Sequence, residues 1–218
     1  MTSKRQLFSE PQVAQYFELS TLAKMAGRPA TDFHRVLVKE LVDNSLDAAE
    51  AAGIAPEIRV QIIGGEGYFA AHVPDNGLGV TSETLDKLLD YSTFTSDKAL
   101  YRTPTRGQQG NARKVLFAMP FATGYERQSP EVVSLGFKHT IHAGLDDAGH
   151  PSVGRERSVD GSGKDLGTSM FVPMRVLYRS QRGGWRAQRG KGSRAGLRAL
   201  QPTREGEFCA LPTAHSAG

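Results

Sequence analysis

The sequence predicts an α+β domain whose helices cover one face of a mostly antiparallel sheet, and three observations carry that reading. Residues 32–52 have a strong helical period; residues 57–73 alternate as two strands around a glycine-rich turn; and helices come first while strands close the domain.

Taken in order, residues 6–27 carry scattered apolar positions that end at Gly27 and predict one or two short helices, after which Pro29 punctuates. The helix over 32–52 has Asp32 as its N-cap and Gly53 just past its end. Ile58, Val60 and Ile62 alternate with polar neighbours over 57–63. The stretch 64–67 can turn, and 68–73 runs back as a second strand that delivers Pro74 and Asp75. A short helix is predicted over 84–89, a polar connection over 91–106 and an apolar helix over 112–121. Strands follow over 132–142, 154–159 and 168–173, with a turn at 146–149. After Met174 the composition shifts to Arg, Gly, Gln and Ser. A segment with so little apolar surface cannot offset its ordering entropy, which predicts disorder over 179–198.

At 218 residues the chain can bury one full-sized core. The expected division is a strap at 1–30, a folded domain at 31–175 and a basic tail at 176–218. Nine of the 27 Lys and Arg fall between residues 175 and 204 with no acid among them. The remainder therefore carries more acid than base, and the basicity is not a nucleic-acid-binding face of the folded domain. The tail either touches phosphate backbones nonspecifically or is a solvated end. One cysteine, Cys209, excludes an internal disulfide framework and suits a reducing compartment. The opening residues lack an apolar leader and no run is long enough to cross a bilayer, so a cytoplasmic protein with no membrane partner is expected.

Three segments carry chemistry. On the helix over 32–52, Glu40, Asn44 and Asp47 stand at i, i+4 and i+7 and share one side, with Val38, Leu41, Val42 and Ala49 on a neighbouring apolar side. A carboxylate and a carboxamide one turn apart can hold a hard cation and poise a water; a solvated polar helix face has the same spacing. Asp75 ends a predicted strand, with Gly77 and Gly79 at alternate positions where a backbone can approach a flat ligand. Its carboxylate can accept a hydrogen bond from an exocyclic amine such as the adenine N6, although Asp-Asn-Gly is also ordinary turn chemistry. Gly107-Gln108-Gln109-Gly110, ahead of an apolar helix, offers backbone N–H groups to an anion. No Gly-Lys-Ser/Thr follows, which excludes a Walker A loop.

Glu40-Leu41-Val42-Asp43-Asn44, Asp75-Asn76-Gly77-Leu78-Gly79 and Arg106-Gly107-Gln108-Gln109-Gly110, in this order, resemble the motifs of the GHKL ATPase superfamily. That superfamily holds gyrase-type ATPase subunits, MutL, the ninety-kilodalton heat-shock chaperones and histidine kinases. The stretch from Lys39 to Ile58 is most similar to the B subunits of type IIB topoisomerases, DNA topoisomerase VI, and the likeness covers about residues 30–175. The resemblance implies a Bergerat fold, an α/β sandwich with ATP and Mg²⁺ between sheet and helices. It implies Glu40 as the general base that activates water, Asn44 as the Mg²⁺ ligand, Asp75 as the adenine reader, and Gly77 and Gly79 along the base. Gly107, Gln108, Gln109 and Gly110 would bind the γ-phosphate. Thr168, in Leu166-Gly167-Thr168-Ser169, would support the adenine through water. Lys98 is either a phosphate contact or a solvated surface lysine.

The resemblance further implies an ATP-dependent homodimer acting as a clamp with a DNA-cleaving A-type subunit, DNA being contacted indirectly. The chain departs from the pattern after Gly110, where Asn111-Ala112-Arg113-Lys114 replaces an apolar residue and a further glycine. No transducer domain is recognised after residue 175, nor the lysine that such a domain supplies, so ATP binding is expected more than hydrolysis. Two other readings stand beside this one: a free-standing GHKL module, chaperone-like or regulatory, and a truncated remnant.

Overall fold

The computed structural model describes residues 12–91, 112–146, 151–161, 166–179 and 185–187. Two short helices, α1 (Gln12–Phe17) and α2 (Leu19–Ala26), lead through a 3₁₀ turn at Ala30–Asp32 into the twenty-residue α3 (Phe33–Ala52). Strands β1 (Gln61–Gly65) and β2 (Tyr68–Pro74) follow, then α4 (Ser82–Leu89) and α5 (Ala112–Ala122). The remaining strands are β3 (Glu131–Ser134), β4 (Phe137–Leu145), β5 (Pro151–Val159) and β6 (Thr168–Arg175), with a ribbon of β7 (Leu177–Arg179) and β8 (Trp185–Ala187).

The six longer strands form one sheet in the order β1-β2-β6-β3-β4-β5, every neighbour antiparallel. The α+β class read from the sequence is therefore what the chain adopts. Strand alternation sends Ala71, Val73, Met170, Val172, Met174, Val132 and Ile141 to one face, where they are buried. Against them pack Phe33, Leu37 and Leu41 of α3, Leu85 of α4 and Val115, Leu116 and Met119 of α5. This burial is the main stabilising term, each fully enclosed Leu or Phe contributing roughly 1.5–3 kcal/mol. On the other face the His72 ring joins two strands, Nδ1 donating to the Gln61 amide oxygen at 2.8 Å and Nε2 hydrogen-bonding the Ser169 hydroxyl.

Several expectations are corrected. Residues 57–60 lie outside β1, which begins at Gln61: the Asn76 side chain accepts from the Glu57 N–H at 2.9 Å and donates to the Ala55 carbonyl at 3.0 Å, and the Arg59 N–H donates to the Pro74 carbonyl at 3.1 Å. Strand pairing of β1 also runs through Gly64 and Gly65, so the turn is confined to Glu66 and Gly67. The single strand expected over 132–142 is a hairpin. Leu135 (φ 50°) and Gly136 (φ 76°) form its two-residue turn, with positive φ at both positions as a type I′ turn requires. Asp32 stands at the N-cap position of α3 as expected, but its side chain makes no cap bond. The ribbon β7–β8 lies where disorder was expected, and Leu177 is buried with the core.

Helix α4 is fastened to the far edge of the sheet by Arg155 of β5. Its Nε and Nη2 reach the two oxygens of Asp86 at 2.6 and 2.8 Å, and Nη1 donates to His139 Nδ1 at 2.8 Å. A guanidinium only donates, so His139 must be neutral at Nδ1, consistent with burial and the nearby Arg155 charge pushing its pKa down. The hydrogen bond from Arg155 holds the Asp86 carboxyl below its ordinary 3.8. The stability contributed by this pair is thus present above that ordinary value and lost as pH falls through the lowered folded value. Because the Asp86 side chain is 60% exposed, the contribution is about 1 kcal/mol or less. Asp86→Asn should lower the urea midpoint slightly at neutral pH and flatten the acid loss of stability between about pH 5 and pH 2. An acid limb identical to that of the wild type would refute this role.

Candidate functional site

The site is built where the β2–α4 loop and the start of β6 meet the middle of α3. Strand β6 comes last in the sheet yet threads between β2 and β3, so Ser169 pairs with Pro74 and Thr168 reaches Asp75 across 93 positions of sequence. The Asp75 N–H donates to the Thr168 carbonyl at 2.8 Å. Three donors then converge on the Asp75 carboxylate. Oδ1 accepts from the backbone N–H groups of Gly77 and Thr168, each at 3.0 Å, and Oδ2 accepts from the Ser45 hydroxyl at 2.9 Å.

Two glycines make this approach possible. A Cβ on Gly77 would lie 2.5 Å from the Ala48 Cβ, so the loop runs directly against α3 one turn beyond Asn44. A Cβ on Gly167, at φ +84°, would lie 2.1 Å from the Asp75 carbonyl oxygen, and its N–H donates to the Gly77 carbonyl at 2.9 Å. Gly79 faces the β3–β4 turn instead, where a Cβ would meet Ser134 Oγ and Leu135 Cδ2 at 2.8 Å. Ser134 ties the two loops together, accepting from the Val80 N–H at 2.8 Å and donating to the Gly167 carbonyl at 3.0 Å.

Two polar atoms of the site are buried with no hydrogen-bond partner: Asn44 Nδ2 and Thr168 Oγ1. Such atoms cost roughly 1–3 kcal/mol each unless something supplies their partners, and they are the feature that fits a polar ligand here. Asn44 presents its Oδ1 to Arg113 Nε of α5 at 3.3 Å. Glu40 stands one turn earlier on α3, half-buried, with Oε1 3.0 Å from Lys39 Nζ. Lys39 also reaches Asp43 Oδ2 at 2.7 Å, and that hydrogen bond, with the Glu40 charge, raises the lysine pKa. Among the described residues no cluster of three or more His, Cys, Asp or Glu could hold a metal ion. A divalent cation here would thus depend on the Asn44 amide oxygen together with oxygens brought by its ligand.

Of the residues singled out by sequence, the structure brings Asp75, Gly77 and Thr168 together against Ser45 and Ala48 of α3, with Asn44 and Glu40 on the same helix and Gly79 displaced toward the hairpin turn. Lys98, Gly107, Gln108, Gln109 and Gly110 lie outside the described residues. The apolar side of α3 also differs from expectation: Phe33, Val36, Leu37, Leu41, Ser45 and Ala49 are buried, while Val42 is only half-buried. Ser45 was missed as a site residue, and its signal was available, since a hydroxyl at i+4 from Leu41 and i−4 from Ala49 interrupts a buried stripe. No helix among the described residues is long and apolar enough to cross a membrane.

Fold and site define an α+β domain in which a long polar-faced helix and an aspartate-glycine loop enclose a shared polar centre. In sequence it is similar to the B subunit of the type 2 DNA topoisomerase 6 of Natronomonas pharaonis, with 48% identity over 73 residues, 34% of this chain and 9% of that protein. The same-named protein of Archaeoglobus fulgidus is 40% identical over 101 residues, 46% of this chain and 16% of its own length. That of Methanosarcina acetivorans is 43% identical over 74 residues, 34% of this chain and 12% of the relative. The chain thus matches a small part of each of these relatives. No protein-family model matches it.

The close approach at Gly77 gives a direct test of the packing. Gly77→Ala forces its methyl group onto Ala48, and the loop must shift away from α3 at a cost of about 1–3 kcal/mol. Urea denaturation should show that loss. Unchanged stability would mean that loop and helix are not in contact.

Proposed function

We propose that this chain is an ATP-binding domain of the GHKL type, with a Bergerat fold, whose role is similar to that of the B subunit of a type 2 DNA topoisomerase 6. The observation that carries the reading is the Asp75 carboxylate. A carboxylate offers about four acceptor positions, and three are filled by fixed donors from α3, the loop and β6. One position on Oδ2 is left for an exocyclic amine, beside a buried Thr168 hydroxyl that has no partner. This is the donor–acceptor pattern that adenine satisfies.

In this reading Asp75 orients the base, and Thr168 supports it through water. Asn44 holds Mg²⁺, which when bound supplies charge neutralisation at the phosphates. Glu40 takes the proton of an attacking water, with Lys39 fixing the direction of its carboxylate. Residues 107–110 follow the phosphates by their resemblance to the lid motif. The likeness to a B subunit extends the proposal to a dimerising, ATP-operated clamp that works with a DNA-cleaving A-type subunit.

Calorimetry with a non-hydrolysable ATP analogue tests the pocket. Asp75→Asn replaces an acceptor by a donor at the adenine position and should weaken affinity by about 100-fold. Glu40→Ala should keep affinity within about threefold while turnover falls by about 100-fold or more. An Asp75→Asn protein that binds as tightly as wild type would overturn the assignment.

A further inference from the structure

The guanidinium of Arg113 occupies the Asn44 oxygen that the nucleotide reading gives to Mg²⁺. Arg113 is the second residue of α5, and its Nε lies 3.3 Å from Asn44 Oδ1, joining parts of the chain 69 residues apart. Its direction is set by its neighbour. Lys114 is fully buried, its Nζ donates to the Asp90 carbonyl, and its own carbonyl accepts from the Tyr91 hydroxyl at 2.7 Å. Consecutive helical side chains point about 100° apart, so a Lys114 anchored toward α4 leaves Arg113 turned toward α3.

The amide orientation follows from the same contact. An arginine can only donate, so Asn44 must present its oxygen to it, and Nδ2 is then the atom left buried without an acceptor. The result is an always-charged cation beside an orphaned donor: a phosphate oxygen can accept from Nδ2, and the adjacent guanidinium charge favours an anion at that point. At 3.3 Å the Arg113–Asn44 bond is long for its kind, which makes it easy to exchange. A dication bound to Asn44 Oδ1 and a guanidinium held against the same oxygen repel each other, so the two compete for that position.

We propose that Arg113 is a phosphate-binding residue of the nucleotide pocket that stands in for Mg²⁺, so that the chain binds a nucleoside triphosphate without a metal ion and yields the Asn44 oxygen when Mg²⁺ arrives. The proposal rests on the ATP-binding reading above and adds a residue that the motifs do not contain. It also gives a role to a charged residue in the stretch where the chain departs from the lid pattern.

The test is titration of the full chain with AMP-PNP in EDTA and in Mg²⁺, for wild type, Arg113→Met and Arg113→Lys, with circular dichroism confirming the fold of each variant. Wild type should bind in both conditions. Arg113→Met should lose about 10-fold or more in EDTA and less than about threefold in Mg²⁺, and Arg113→Lys should recover part of the loss in EDTA. Equal losses in the two conditions would make Arg113 a structural tie between α3 and α5 and overturn the proposal, as would no loss at all. Absence of binding by wild type in both conditions would instead remove the pocket reading, and this inference with it.

Discussion

Donors from three separate parts of the chain converge on the Asp75 carboxylate, and the arrangement of the site depends on that convergence. Ser45 comes from the middle of α3, Gly77 from the loop itself and Thr168 from the first position of β6. Each alone is a hydrogen bond worth about 1–3 kcal/mol to a charged group. Together they fix the rotation of α3 about its axis, the path of the loop after β2 and the register at which β6 enters the sheet. A slip of β6 by one residue would move its buried face to the outside and withdraw the Thr168 N–H at the same time.

Topology explains why the convergence happens at this end of the sheet. Because β6 is inserted between β2 and β3, its first residues lie beside the last residues of β2 and beneath the β3–β4 turn. The loops at that end are bound to one another by Ser134, and the segment before β1 is drawn in by Asn76. The polar centre is consequently held by backbone groups and short side chains, which lose little rotamer entropy when fixed. Long flexible side chains enter from α5, where Arg113 reaches Asn44.

Some of this was readable in the sequence. The long helical period of α3 with Gly53 behind it, the aspartate at the end of β2 and the apolar run of α5 are local signals, and each matched the element formed. The place of Ser45 in the buried stripe marks it as turned inward, but Asp75 is thirty residues away and nothing local says that the two meet. The hairpin at Leu135 and Gly136 escaped because the usual turn signal is Asn-Gly, and a leucine at positive φ is tolerated only when tertiary packing imposes it. Val42 looked like core from its residue type, yet the buried stripe passes to one side of it, through Leu41 and Ser45. The β7–β8 ribbon depends on Leu177 reaching the core, a tertiary contact that Arg- and Gly-rich composition conceals.

The contact between Lys114 and the end of α4 has a consequence for how the domain tolerates change. The Asp90 carbonyl receives the Lys114 ammonium, and the Tyr91 hydroxyl donates to the Lys114 carbonyl, so the chain leaves α4 and re-enters α5 through a neck closed by two hydrogen bonds. Because both bonds join the end of α4 to the first turn of α5, a change at Lys114 or Tyr91 disturbs the docking of the two helices together.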